Sequence, residues 1–108
     1  MSRPTELVQG TLDLLVLKSL ALEPLHGWAV AQRIHQISNK VLVVNQSALY
    51  PALHRLENRG WLKAEWRASK NNRRAKFYSL TPAGRKQLST ELASWRRLSS
   101  AISLVAET

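Results

Sequence analysis

The chain has 108 residues, 16 Lys and Arg against 7 Asp and Glu, a formal net charge of +9 and no cysteine, a size that suits one domain with a modest core. Without cysteine there are no disulfides, thiol nucleophiles or cysteine-ligated zinc. No stretch reaches the roughly 18 apolar residues of a membrane span, and the start MSRPTEL lacks a signal-peptide profile, so a soluble, cytoplasmic protein with no membrane partner is expected. The basic excess favours a polyanionic partner.

Thr11 to Leu22 (TLDLLVLKSLAL) is apolar nearly all round if helical, broken only by Asp13, Lys18 and Ser19. A helix without a wet face is buried on more than one side, so Leu12 and Leu15 are expected to meet a second subunit. Glu23-Pro24 ends the element, because proline cannot continue the hydrogen-bond ladder. Gly27 to Ser38 carries Val30, Ile34 and Ile37 at helical spacing and reads as a supporting helix. His26 before it is read as a hydrogen-bonding histidine at a turn. Val41 to Val44 is either an extended connector or a first short strand.

From Ser47 to Arg59 the apolar residues Leu49, Ala52, Leu53 and Leu56 again fall at helical spacing, and Gly60 stands where a left-handed C-terminal cap is wanted. Ser47 is read as the N-cap, so that Pro51 removes only the first intrahelical bond. Trp61 occupies the position from which a Schellman motif lets it touch Leu56. The pattern then alternates: Leu62, Ala64 and Trp66 on one side, Lys63, Glu65 and Arg67 on the other. A polar tip follows at Ser69 to Asn72, where Asn71 and Asn72 are turn formers, and then a second β-rich run, Phe77 to Leu80. From Arg67 to Lys76 the bases are Arg67, Lys70, Arg73, Arg74 and Lys76, with no acid.

Thr81-Pro82 is a strong helix start, a capping residue with proline at the first helical position. Leu88, Leu92, Trp95, Ser99, Ile102 and Ala106 then fall at alternating four and three spacing, a heptad-like seam. The helix spans about 36 Å at 1.5 Å per residue, more than so small a domain needs, and its far end is expected to meet another subunit. The expected dimer interface is therefore Leu12, Leu15, Leu88, Leu92, Trp95 and Ile102.

A short helix running into a basic hairpin is the order of parts in a winged helix-turn-helix. The expected fold is mainly α with a small β-hairpin wing: a DNA-binding domain at 1–80 and a C-terminal dimerisation helix at 81–108, together one compact unit. If the helix from Ser47 enters a major groove, its outward side chains are Ser47, Tyr50, Pro51, His54, Arg55 and Asn58. Arg55 and Asn58 suit base edges, since a guanidinium bonds bidentately to guanine and a carboxamide to adenine. Ser47, Tyr50 and His54 suit phosphates near the helix N-terminus. In the wing, Lys70, Arg73, Arg74 and Lys76 suit phosphate or minor-groove contact. His26, His35 and His54 show no metal-ligand spacing, and no acid–base pair, activated nucleophile or phosphate-binding glycine loop is present. Neither an enzyme nor a cofactor is expected.

With these residues in place, the sequence resembles the PadR family of bacterial transcriptional regulators. The resemblance is carried by GTLDLLVLKSL in the first helix, LHGW at 25–28, SALYPALHRLENRGWL at 47–62 and KFYSLTPAGR at 76–85. Trp28 stands where the family usually has tyrosine or phenylalanine after His-Gly. The single long C-terminal helix is similar to that of the short subgroup. Membership implies a homodimer on double-stranded operator DNA of near-palindromic sequence, usually a repressor, and release by an effector. In multidrug-sensing relatives, flat aromatic ligands stack between tryptophans on this helix, and Trp95 is similar in placement. The competing reading is a protein-interaction module that uses the long helix and binds nucleic acid only non-specifically.

Overall fold

The computed structural model describes residues 9–108; the start MSRPTEL lies outside them. Four helices and three short strands follow in the order α1 (Gln9–Ser19), β1 (Leu25–His26), α2 (Gly27–Ile37), α3 (Gln46–Asn58), β2 (Leu62–Ala68), β3 (Arg74–Leu80) and α4 (Pro82–Ala106). The expected mainly helical fold with a β wing is therefore present. The strands form one antiparallel sheet in the order β1-β3-β2. Residues 41–44 form a connector, and the first strand is instead Leu25–His26, which pairs Leu25 with Tyr78 and His26 with Phe77.

Helix α1 packs against α2, α3 and α4 of its own chain. Leu12, Leu14, Val16, Leu17 and Leu20 are all buried there, joined by Val30, Ile34, Leu49, Leu53 and Leu56 from α2 and α3. The missing wet face thus has an explanation within the protomer: three helices cover α1. Leu12 is 3% exposed and Leu88 7%, so both spend their surface in the protomer's own core, contrary to the expectation that they face a second subunit. Leu15 and Leu92 are partly buried against that core.

Helix α2 is capped by His26, whose Nδ1 accepts from the amide of Ala29 at 3.3 Å. The cap of α3 is Asn45, not Ser47: Asn45 Oδ1 accepts from the Ala48 amide at 3.0 Å and from the Ser47 hydroxyl at 2.6 Å. Both residues are good caps, and starting the helix earlier moves Pro51 to its sixth position. The lost bond is the one that Ser47 would have accepted, and Ser47 is exposed to water.

The C-terminal end of α3 is a complete Schellman motif. Gly60, at φ 78°, donates to Glu57 O at 3.0 Å, and Trp61 donates to Leu56 O at 3.1 Å. Helix α4 is tied to this same corner. The Thr81 hydroxyl donates to Gly60 O at 2.6 Å and accepts from the Gly84 amide at 3.0 Å, while the Thr81 amide donates to Trp61 O at 3.1 Å. Gly84 is required by proximity, since a Cβ there would overlap the Trp61 carbonyl.

Gly84→Ala is therefore expected to cost about 3 kcal/mol, as overpacking against rigid backbone, and Gly60→Ala about 1 to 2 kcal/mol for the left-handed conformation. Urea unfolding checks both the losses and their order. Equal stability of wild type and Gly84→Ala would mean that α4 does not seat on the Trp61 carbonyl.

Candidate nucleic-acid interface

Helix α3 buries Leu49, Ala52, Leu53 and Leu56 and leaves Ser47, Tyr50, Pro51, His54 and Asn58 exposed. These five side chains form a continuous outward face. Tyr50 also lies close against the start of α2, where a Cβ at Gly27 would lie 2.8 Å from Tyr50 Cε1. The helix-turn-helix pair meets where glycine permits it.

Arg55 does not lie on that free face. Its guanidinium is bound to Asp13 of α1, Nη2 to Oδ1 at 2.5 Å, and the two side chains are 27% and 16% exposed. At helical spacing Arg55 lies on the flank of the outward face, near enough to α1 to find the one carboxylate there. The same pair accounts for Asp13 in a largely apolar helix. On the opposite flank, Glu57 accepts from Lys76 Nζ of β3 at 3.2 Å. Helix α3 is thus braced on one flank to α1 and on the other to the wing, and Lys76 is occupied in the bracing.

Lys70, Arg73 and Arg74 are exposed around the hairpin tip. The tip is closed by Ser69 donating to Arg73 O at 2.7 Å and Asn72 donating to Ser69 O at 2.9 Å, with Asn72 at φ 59°. Arg67 is bound to Glu65 and lies over Phe77, its guanidinium carbon 5.3 Å from the ring centroid. The alternation of β2 puts Trp66 on one side with Leu62 and Ala64, the side that the sheet turns to the core. The core ends before Trp66, which is 59% exposed with the Arg74 guanidinium 5.6 Å from its centroid. No pattern within the strand marks where the core stops.

On α4 the exposed large apolar residues are Trp95, Leu98, Ile102, Leu104 and Val105. Trp95 and Ile102 were expected in the seam; Leu98 and Val105 fall on the same stripe, three residues beyond each. Among the described residues no helix is long and apolar enough to cross a membrane.

The hydrogen bond from Lys76 to Glu57, partly offset by desolvation, raises the Lys76 ammonium above its ordinary pKa of 10.5. A raised folded pKa gives stability that is fully present below the unfolded value and lost as pH rises through the folded one. The stability lead of wild type over Glu57→Gln should accordingly stay level from neutral pH up to pH 10.5 and close above it; a lead that persists in strong base would contradict the pairing. On the other flank, a double-mutant cycle of Asp13→Ala and Arg55→Ala should give a coupling of about 1 to 3 kcal/mol by chemical denaturation, whereas additive losses would mean that the pair contributes nothing.

Comparison with known proteins gives a family match, described as the Transcriptional regulator PadR-like family, over residues 16–90. A padr family transcriptional regulator from Eggerthella lenta superposes with a TM-score of 0.78 at 31% identity, over 93% of this chain and 85% of that one. A PadR-like transcription factor from Bacteroides fragilis gives 0.73 at 30% identity, over 90% and 91% of the two chains. A 37.1 kDa protein in a transposon of Streptomyces fradiae is 41% identical over 87 residues, which are 81% of this chain and 24% of that protein.

Proposed function

The chain belongs to the PadR-like family of transcriptional regulators, and from that premise we propose that it is a homodimeric, sequence-specific DNA-binding repressor of a near-palindromic operator. The observation that carries this reading is the outward face of α3, free of core contacts and set beside an exposed basic hairpin. In this reading α3 enters the major groove. Asn58 is its base reader, since a carboxamide pairs with adenine; Ser47, Tyr50, Pro51 and His54 line the rest of the contact. Lys70 and Arg73 meet phosphates, and Arg74 meets phosphate or the minor groove. Arg55 supports the face from its flank, with base contact only if it exchanges Asp13 for DNA.

The dimer in this reading is held by the apolar stripe of α4 beyond the core, Trp95, Leu98, Ile102 and Val105, all about half exposed or more. So much contiguous apolar surface marks an interaction site. A two-fold dimer places its reading helices in successive major grooves, with half-site centres roughly 34 to 36 Å apart. A flat aromatic effector at Trp95 is the remaining part of the proposal; Trp95 lies on the dimer stripe, where a ligand would bear on the spacing of the two halves.

Sedimentation of the wild type at micromolar concentration should give a dimer, and Ile102→Glu a monomer that retains its fold; a wild-type monomer would defeat the dimer. Operators selected from random duplexes provide the second check. Lys70→Ala and Arg73→Ala should weaken selected and random duplex alike and each reduce the salt slope by about one unit. Asn58→Ala should relax preference at one base pair per half-site, at a cost of about 1 to 3 kcal/mol. Unchanged base preferences would move sequence readout to DNA shape, and no duplex binding at all would favour the protein-interaction reading.

A further inference from the structure

Phosphate contact by the wing cations leaves Trp66 without a role. Across the hairpin, Trp66 stands opposite Lys76 and Ala68 opposite Arg74, while Leu62 and Ala64 stand opposite Leu80 and Tyr78. Directly opposed residues share a sheet face. On this face Leu62, Leu80 and Tyr78 are buried, and Lys76 reaches Glu57 of α3. It is therefore the face turned towards the reading helix, and Trp66 with Arg74 forms its outer, uncovered end. Glu65, the nearest acid along β2, belongs to the opposite face and is taken by Arg67. An exposed indole thus stands beside a guanidinium that is unpaired among the described residues, the Arg74 carbon 5.6 Å from its centroid, with Lys76 directly across the strand pair.

Such a surface fits a polyanion that also offers an apolar wall. The minor groove of duplex DNA does so, with deoxyribose sides and a floor whose potential is most negative where A·T steps narrow it. Arginine suits that groove because it is weakly hydrated and stacks on aromatic rings, which lysine does not. The wide, shallow minor groove of an RNA helix lacks the narrow potential well. Resting on the DNA-binding role proposed above, we propose that Trp66 and Arg74 form one minor-groove reader: the indole packs against the deoxyribose wall beside each half-site and holds the Arg74 guanidinium edge-on in the groove, selecting A·T-rich flanks.

The test uses full-length protein and a selected operator whose flanks are A·T, G·C or I·C pairs. Hypoxanthine lacks the guanine 2-amino group, so I·C presents the minor groove of A·T with a major groove like that of G·C. Wild type should bind A·T and I·C flanks alike and G·C flanks several-fold more weakly. Trp66→Ala should lose about tenfold on A·T flanks, in the range of an aromatic–nucleotide contact, with an unchanged salt slope and no remaining flank preference; Trp66→Phe should keep most of both. Arg74→Lys should keep the slope and lose the preference. Far-ultraviolet circular dichroism verifies that the variants fold, as a half-solvated position allows. Wild-type flank preference that survives Trp66→Ala or Arg74→Lys overturns the proposal, as does I·C behaving like G·C. So does an equal loss on all flanks with a lower slope, which would mark a merely weakened wing. In each of those cases operator binding by wild type leaves the DNA-binding role standing; its absence would sink that role and this one together.

Discussion

Three elements take their directions from the corner at Gly60 and Trp61. The left-handed Gly60 stops α3 and turns the chain into β2; the Trp61 carbonyl then receives the Thr81 amide, and the absent side chain of Gly84 lets α4 come down on it. Helix, wing and C-terminal helix are thereby joined through backbone groups at a single place. Side-chain rotamers have little freedom to alter angles set this way, because each hydrogen bond there involves a peptide group whose position is fixed by its neighbours.

That rigidity matters for a surface composed of separate parts. In the DNA-binding role proposed above, a helix and a hairpin can meet one duplex only if their relative placement survives thermal motion. The two ion pairs on the flanks of α3 add to the corner: Asp13 to Arg55 on one side, Glu57 to Lys76 on the other. Both lie partly out of water, where a charged hydrogen bond is stronger than on an open surface. Arg55, which a helical wheel would assign to the ligand, is in this structure paired within the frame.

What was legible in the sequence was what local chemistry decides. The Schellman end at Gly60 and the cap at Thr81-Pro82 depend on residues within a few positions of each other, and both stand where the pattern placed them. Strand β1 is two residues long and exists only because β3 passes beside it, so no periodicity could reveal it. Asn45 and Ser47 have equal claims as caps; the preference of proline for a first turn favoured the wrong one, since Pro51 is tolerated deeper when the forfeited acceptor faces water. The pairing of Arg55 with Asp13 was not legible, because the partner is 42 residues away in sequence. The apolar circumference of α1 implied burial on more than one side, correctly, but composition cannot distinguish three helices of one chain from one helix of another.

The extent of β1 has a consequence for motion. It covers β3 only at Phe77 and Tyr78, so from Lys76 outward the hairpin is a two-stranded ribbon, a structure that is marginally stable by itself in water. The outer wing can therefore open by local fluctuation without disturbing the three-helix core, and its amides belong to the class that exchanges hydrogen from small, frequent openings. Any surface that clamps it must first quiet that motion, and the conformational entropy surrendered is subtracted from the affinity gained.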